Sequence, residues 1–342
     1  MRALVFRGPW DIAVEERQDP EAGPGEVLVE VLSTGICGSD LHGYTGENGR
    51  RFPGQVMGHE TVGRVAALGP EVTGIAVGAL ITVHPVLSCG ACPACAAGLD
   101  HRCPTKRIIG VDPAISAAFA ELMVVPAANV VPLPENVPVE YGALVEPLAV
   151  GHHAVERGRC GSDDTVLVVG GGPIGQACAL AVRRLGVTRI AVSEPHAGRR
   201  SLLDDIGVAT MDPTAAALAD QAAEVLGGAP TLVIDAVGSS RSLADALAVC
   251  AAGERVVLVG MHEPRVSVSA YSVSLEERSL VGSYCYTGTH FRETAAWVGS
   301  APPELARLIE GRVSLVDAPE AFRALANGDD GSSKVLVLPD RG

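Results

Sequence analysis

The stretch TVLVVGGGPIG at positions 165–175 decides how this chain is read. Residues 165–169 are a short apolar run, long enough for a buried strand. Gly170-Gly171-Gly172-Pro173-Ile174-Gly175 then matches G-x-G-x-x-G, and residues 173–185 read as a helix. A lone glycine motif is weak. Placed directly after a strand and opening a helix, it acquires a physical meaning. Gly170 permits a tight turn, Gly172 lets the backbone approach a pyrophosphate, and Gly175 lets the helix lie close on the strand. Pro173 and Ile174 sit at the helix N-terminus, which faces the phosphate charge.

Toward the C-terminus, a second strand at 189–193 ends at Glu194, the offset expected for a carboxylate that binds the adenosine ribose hydroxyls. A carboxylate there repels a 2′-phosphate, so NAD is favoured over NADP. Arg199 and Arg200 lie just downstream and soften that repulsion. Strand-like runs recur at 231–235, 255–259 and 279–283, with Ala- and Leu-rich helical segments between them. Strands alternating with helices predict an α/β fold, a Rossmann-type doubly wound parallel sheet. The tail changes style, with a helix near 302–310 and a final strand at 334–338.

Toward the N-terminus the chain reads as β structure. Residues 26–32 alternate partly polar and apolar, like a half-buried strand, and short apolar runs follow at 61–67, 79–83 and 120–125, each bounded by Gly or Pro. Cys89, Cys92, Cys95 and Cys103 interrupt them as C-x2-C-x2-C-x7-C, within a lobe at about 88–104. Such spacing folds four thiolates round one tetrahedral zinc at about 2.3 Å and leaves no open position, the mark of a structural site.

At 342 residues the chain is longer than one typical core, and two domains are expected. The net charge of -14 excludes a broad basic surface for nucleic acid or anionic membrane. No segment reaches the roughly 20 apolar residues of a membrane span, and nothing resembles a signal peptide, so a cytoplasmic enzyme is expected. Nine cysteines in such a chain favour metal over disulfides. Lys106 and Lys334 are the only lysines, a bias to arginine that carries no functional reading.

Three further segments are Cys37-Gly38-Ser39-Asp40-Leu41-His42, Gly58-His59-Glu60 and Glu146-Pro147-Leu148. Taken singly, each has a bland reading: a buried thiol, a core histidine, a helix N-terminal carboxylate. Together, on either side of the cysteine lobe and ahead of the glycine turn, they resemble the zinc-dependent medium-chain dehydrogenases over essentially the full chain. Glu146-Pro147-Leu148 looks like the sorbitol, threonine and butanediol dehydrogenase branch. The resemblance implies a GroES-like catalytic domain (1–148, completed by 289–342) and a Rossmann NAD-binding domain (149–288). It implies two zincs per chain, with Cys37 and His59 as ligands of a catalytic one. Glu60 and Glu146 are the carboxylates of that site, in an order left open. Three ligands leave one open position, where a small-molecule secondary alcohol, polyol or cyclitol is activated for hydride loss to NAD. Ser39 and His42 resemble the family's proton relay. Cys285-Tyr286 stands where sorbitol dehydrogenases carry Arg-Tyr. The loop 283–292 offers Tyr284, Tyr286, His290 and Arg292 as substrate contacts, with Tyr44 and Glu47 from the first domain. A homodimer or homotetramer is implied. The alternatives are a threonine-type amino alcohol dehydrogenase, for which Arg292 would hold the carboxylate, and a zinc-free reductase or non-catalytic relative.

Overall fold

A computed structural model describes residues 1–47, 49–115, 117–328 and 334–339. The chain divides into two compact units, Met1–Glu146 with Thr287–Gly342, and Pro147–Tyr286. Of the C-terminal segment expected at 289–342, residues 329–333 and 340–342 lie outside the described residues.

In the unit Pro147–Tyr286, six strands lie side by side in the order Ala209–Met211, Arg189–Ser193, Thr165–Val169, Leu232–Asp235, Arg255–Leu258, Ser279–Gly282. Every neighbouring pair is parallel. The first strand in sequence lies third in space, so the order reverses beside it. That is the switch point where open α/β sheets bind ligands at strand C-terminal ends. All of Thr165–Val169 is buried, and Leu167, Val169, Ala191, Val233 and Val256 share one core. The helix Pro173–Arg184 follows the glycine turn. A Cβ on Gly175 would stand 1.8 Å from the Gly170 carbonyl oxygen, so only glycine allows this helix to start so close to the strand.

The other unit is built on a mainly antiparallel sheet. Its strands run Gly311–Ser314, Val335–Leu338, Glu26–Gly35, Glu60–Leu68, Leu80–Val83, Val130–Pro132, and Leu122–Pro126 also pairs with Glu26–Gly35. Val27, Val29, Val31, Val65, Ile81 and Met123 alternate inward to form its core. Glu26–Gly35 is central. Gly35 pairs with Glu60 on one side and with Leu336 on the other.

Two expectations need correction. The helix near 302–310 is a single turn, Leu305–Leu308. Pro302 and Pro303 precede it, and Ile309 turns extended to enter the strand Gly311–Ser314. A further helix, Ala318–Asn327, follows that strand. The supposed loop 283–292 is helical in its second half, within Gly288–Gly299. The Thr287 side chain accepts the His290 N–H at 3.1 Å, and Phe291, Ala295 and Val298 fall on one buried face.

Candidate metal centres and nucleotide turn

Cys37 follows the strand Glu26–Gly35 and caps the helix Gly38–Thr45. Its N–H donates to Asp40 Oδ2 at 3.2 Å, which fixes the thiol at the helix N-terminus. His59 immediately precedes the strand Glu60–Leu68, and Glu60 opens it. One donor atom from each of Cys37, His59 and Glu60 lies within 4.8 Å of the others. Both His59 and Glu60 are buried. A thiolate, an imidazole and a carboxylate brought together this closely are a donor set that zinc takes.

Charge around this group is dense. Asp40 is fully buried; burial pushes its carboxyl pKa up, with His59 and Arg51 opposing. Its Oδ1 is 3.7 Å from His59 Nδ1 and 3.8 Å from the Arg51 guanidinium. Neither Asp40 Oδ1 nor His59 Nδ1 has a hydrogen-bond partner among the described residues. Burial pulls the His59 pKa down, but the negative charges of Asp40, Cys37 and Glu146 outweigh it, and the net shift is well upward. Glu146 lies buried in the first turn of the helix Val145–Arg157. It falls outside the 4.8 Å group, while its charge acts on His59.

The four lobe cysteines also converge, with all sulfurs within 4.8 Å of one another. Cys92 caps the short helix Pro93–Ala96. The Cys89 N–H points at Cys103 Sγ from 3.5 Å. The Thr105 hydroxyl and that amide draw the Cys103 thiol down to about 6. Cys103 is buried and Cys89 exposed, so the cluster spans from core to surface. None of the nine cysteines is bridged.

At the glycine turn, Glu194 follows its strand directly and is buried. One carboxylate oxygen accepts the Gly171 N–H at 2.7 Å and the other the His196 N–H at 2.8 Å. Arg199 Nη1 lies 3.9 Å from Glu194 Oε2, and also 3.9 Å from where a Cβ on Gly172 would be. Arg199 Nε is buried with no partner among the described residues. A backbone cradle open at Gly172, flanked by an unsatisfied guanidinium nitrogen, fits the phosphates of a dinucleotide.

Residues 23–135 match the model of the alcohol dehydrogenase GroES-like domain, and residues 173–300 that of the zinc-binding dehydrogenases. The chain is 34% identical, over 98% of each sequence, to the 2-dehydro-3-deoxy-L-galactonate 5-dehydrogenase of Pseudoalteromonas atlantica. It is 35% identical to the L-threonine 3-dehydrogenase of Pyrococcus furiosus, over 80% of this chain and 79% of that one. Among solved structures, one from Sinorhizobium meliloti 1021, assigned to the zinc-binding dehydrogenases and bound to NADP, superposes with a TM-score of 0.90. It shares 32% identity and covers 99% of each chain. The chain belongs to the zinc-dependent medium-chain alcohol and polyol dehydrogenases. It is an oxidoreductase that moves a hydride between the secondary alcohol of a small molecule and a nicotinamide cofactor. Among its described residues, no helix is long and apolar enough to cross a membrane.

The remaining expected residues of this dehydrogenase are placed unevenly. Ser39 and His42 lie three apart on the helix Gly38–Thr45, hence on one face. His42 Nδ1 is 2.6 Å from Glu47 Oε2, and its ring is about one-third exposed. Tyr44 is a correction. It is 1% exposed, its ring lies edge-on to Trp10 and Phe322, and its hydroxyl donates to the Trp10 carbonyl. That ring belongs to the core and is not offered to a substrate. Tyr286 is likewise fully buried, whereas Tyr284 is exposed. His290 and Arg292 sit in the first turns of Gly288–Gly299, half-buried and exposed respectively.

Sequence reasoning missed Lys334. Its ammonium donates to both oxygens of Glu60, at 2.7 and 2.5 Å, and to the Ile36 carbonyl at 3.3 Å. Burial would lower its pKa, but the charges of Glu60, Cys37 and Glu146 raise it. The sequence offers only a hint, that Lys334 is one of two lysines in a chain whose other Lys and Arg positions are all arginine; its partner is set by strand register.

Proposed function

We propose that this dehydrogenase carries two zincs per chain and oxidises a secondary hydroxyl of a polyol or sugar acid with NAD. The observation that carries the reading is the convergence of Cys37, His59 and Glu60 within 4.8 Å in a buried site. Cys37 and His59 would hold the catalytic zinc, with Glu60 or Glu146 as its carboxylate, and Cys89, Cys92, Cys95 and Cys103 the structural one. Zinc in the first site supplies Lewis acidity to the alcohol oxygen. Ser39 takes up the hydroxyl proton and His42 passes it toward solvent. Glu47 orients the His42 ring through the contact at Nδ1.

Gly170, Gly172 and Gly175 cradle the cofactor phosphates. Glu194 favours NAD, because each of its oxygens keeps a lone pair for a ribose hydroxyl and its charge repels a 2′-phosphate. Arg199 opposes that repulsion, so the preference is a graded one. The sugar-acid reading draws on the relative aligned over nearly the whole chain, which acts at position 5 of a 2-dehydro-3-deoxy-galactonate. Arg292 is a cation for such a carboxylate. The threonine dehydrogenase relative favours a second reading, an amino alcohol substrate held by the same arginine. Nine unbridged cysteines suit a reducing, cytoplasmic setting. The edge strand Ser279–Gly282 exposes Leu280, near in sequence to exposed Tyr271 and Leu275, which supports a homodimer or homotetramer.

Metal analysis of the purified enzyme, with a panel of polyols, aldonates, cyclitols and L-threonine against NAD and NADP, tests this. Two zincs per chain and faster NAD reduction with a polyol or aldonate are expected. One zinc per chain, or oxidation of L-threonine alone, would overturn the reading.

A further inference from the structure

Lys334 and Glu60 are far apart in sequence and meet because of strand register. Gly35 lies between them, paired to Glu60 on one side and to Leu336 on the other. A Cβ on Gly35 would stand 2.0 Å from Glu60 Oε2, so the carboxylate occupies the space where any other residue would place its side chain. From the other flank, the Lys334 ammonium spends all three of its protons, two on Glu60 and one on the Ile36 carbonyl. Lys334 is 3% exposed and Glu60 1%. A compact ammonium with three rotatable donors suits this arrangement better than a planar guanidinium. That distinction matters in a chain where Lys106 and Lys334 are the only lysines among 26 basic residues.

We propose that Lys334 competes with the catalytic zinc for Glu60, and so sets how readily that site releases its metal. The proposal rests on the two-zinc reading above. Both Glu60 oxygens accept from the ammonium while one of them stays within 4.8 Å of the Cys37 and His59 donors, so zinc must share or displace that contact to gain the carboxylate. Leaving a buried cation without its counter-ion is costly, so the contact resists being broken. Without Lys334, Glu60 becomes a buried carboxylate whose available cation is the zinc, and the site holds its metal longer. Lys334 is therefore a positioning residue acting through Glu60.

The test follows zinc transfer from holoenzyme to a chromogenic chelator, with thermal melting to verify the fold. Lys334→Met should slow release of the more labile zinc about tenfold or more and leave the slower one unchanged, the scale of outer-sphere effects on metal affinity. In a Glu60→Gln background the same substitution should change release by less than about threefold, well below that scale. Zinc leaving Lys334→Met at the wild-type rate or faster overturns the proposal, as does equal slowing in the Glu60→Gln background. If Lys334→Met does not fold, Glu60→Gln alone decides. A carboxylate already held by Lys334 can be lost with less than about threefold change, whereas acceleration of about tenfold makes Glu60 a full ligand and overturns the idea. A wild-type enzyme with only the lobe zinc sinks the two-zinc reading, and this proposal with it.

Discussion

The cysteine lobe and the Cys37–His59–Glu60 group solve one problem, gathering donors for a metal, in opposite ways. The lobe takes four like ligands from one short stretch, from Cys89 on the surface to Cys103 in the interior. Local turns do the work: the helix Pro93–Ala96 places Cys92 and Cys95, and backbone amides point at the sulfurs. The second group draws unlike donors from two segments well apart in the chain, Cys37 and the pair His59-Glu60, and surrounds them with buried charge, namely Asp40, Arg51, Glu146 and Lys334. On the two-zinc reading proposed above, four thiolates would close a coordination sphere and brace the fold. On the same reading, a thiolate, an imidazole and a carboxylate would leave room for a substrate. If both groups hold zinc as proposed, the difference teaches that a bracing site can be assembled from one short stretch, whereas a reactive one is assembled from segments far apart in the chain.

The largest effect should come from exchanging damage between the two. Cys103→Ser should destabilise the enzyme by at least about 3 kcal/mol, because structural zinc binding is folding free energy. It would be read as a melting temperature lower by roughly 6 °C or more. Cys37→Ser should melt within about 1 kcal/mol of wild type, yet lose on the order of 100-fold or more in kcat/KM. Equal losses of stability in the two variants would erase the contrast.

His84 sharpens it on the lobe side. It follows the strand Leu80–Val83, packs on Phe291 and lies 3.9 Å from Asp100, within the lobe's last turn before Cys103. Burial lowers its pKa to about 4, with Asp100 opposing and Arg292 assisting. A folded pKa below the unfolded value of 6.5 means the unfolded chain binds more protons between the two. The stabilisation is thus present above pH 6.5 and is lost as pH falls toward 4. His84→Gln should therefore lose about 2 kcal/mol less stability than wild type between pH 7 and pH 5, in urea unfolding at both. An identical pH dependence in the two proteins would place the acid sensitivity elsewhere.

At the nucleotide turn the proposed selection is by charge. Glu194→Ser should reduce the preference for NAD over NADP by about 1–3 kcal/mol in kcat/KM, the scale of a hydrogen bond to a charged group. Zinc release from both metal sites should stay at the wild-type rate. A wild-type enzyme that already prefers NADP would make Arg199, and not Glu194, the residue that decides.

By itself the sequence determined whatever is written in short spacings. The thiol run Cys89 to Cys103, the strand-to-helix turn Gly170 to Gly175 and the alternation of strands and helices all act within a few residues, where backbone geometry leaves few options. Cys37, His59 and Glu146 were legible only as an ensemble resembling a family, because no local rule joins them. Tertiary structure decided the rest. Tyr44 looked available for a substrate, but its helix turns that face into a core beside Phe322. His290 and Arg292 read as loop residues until Thr287 and the buried face of Phe291, Ala295 and Val298 made a helix of them. Lys334 carried no reading at all, since its role exists only through the register that lays Leu336 against Gly35 and Gly35 against Glu60. Strand register is set by which faces bury their apolar side chains across the whole sheet, a sum over distant residues that inspection of any one segment does not contain.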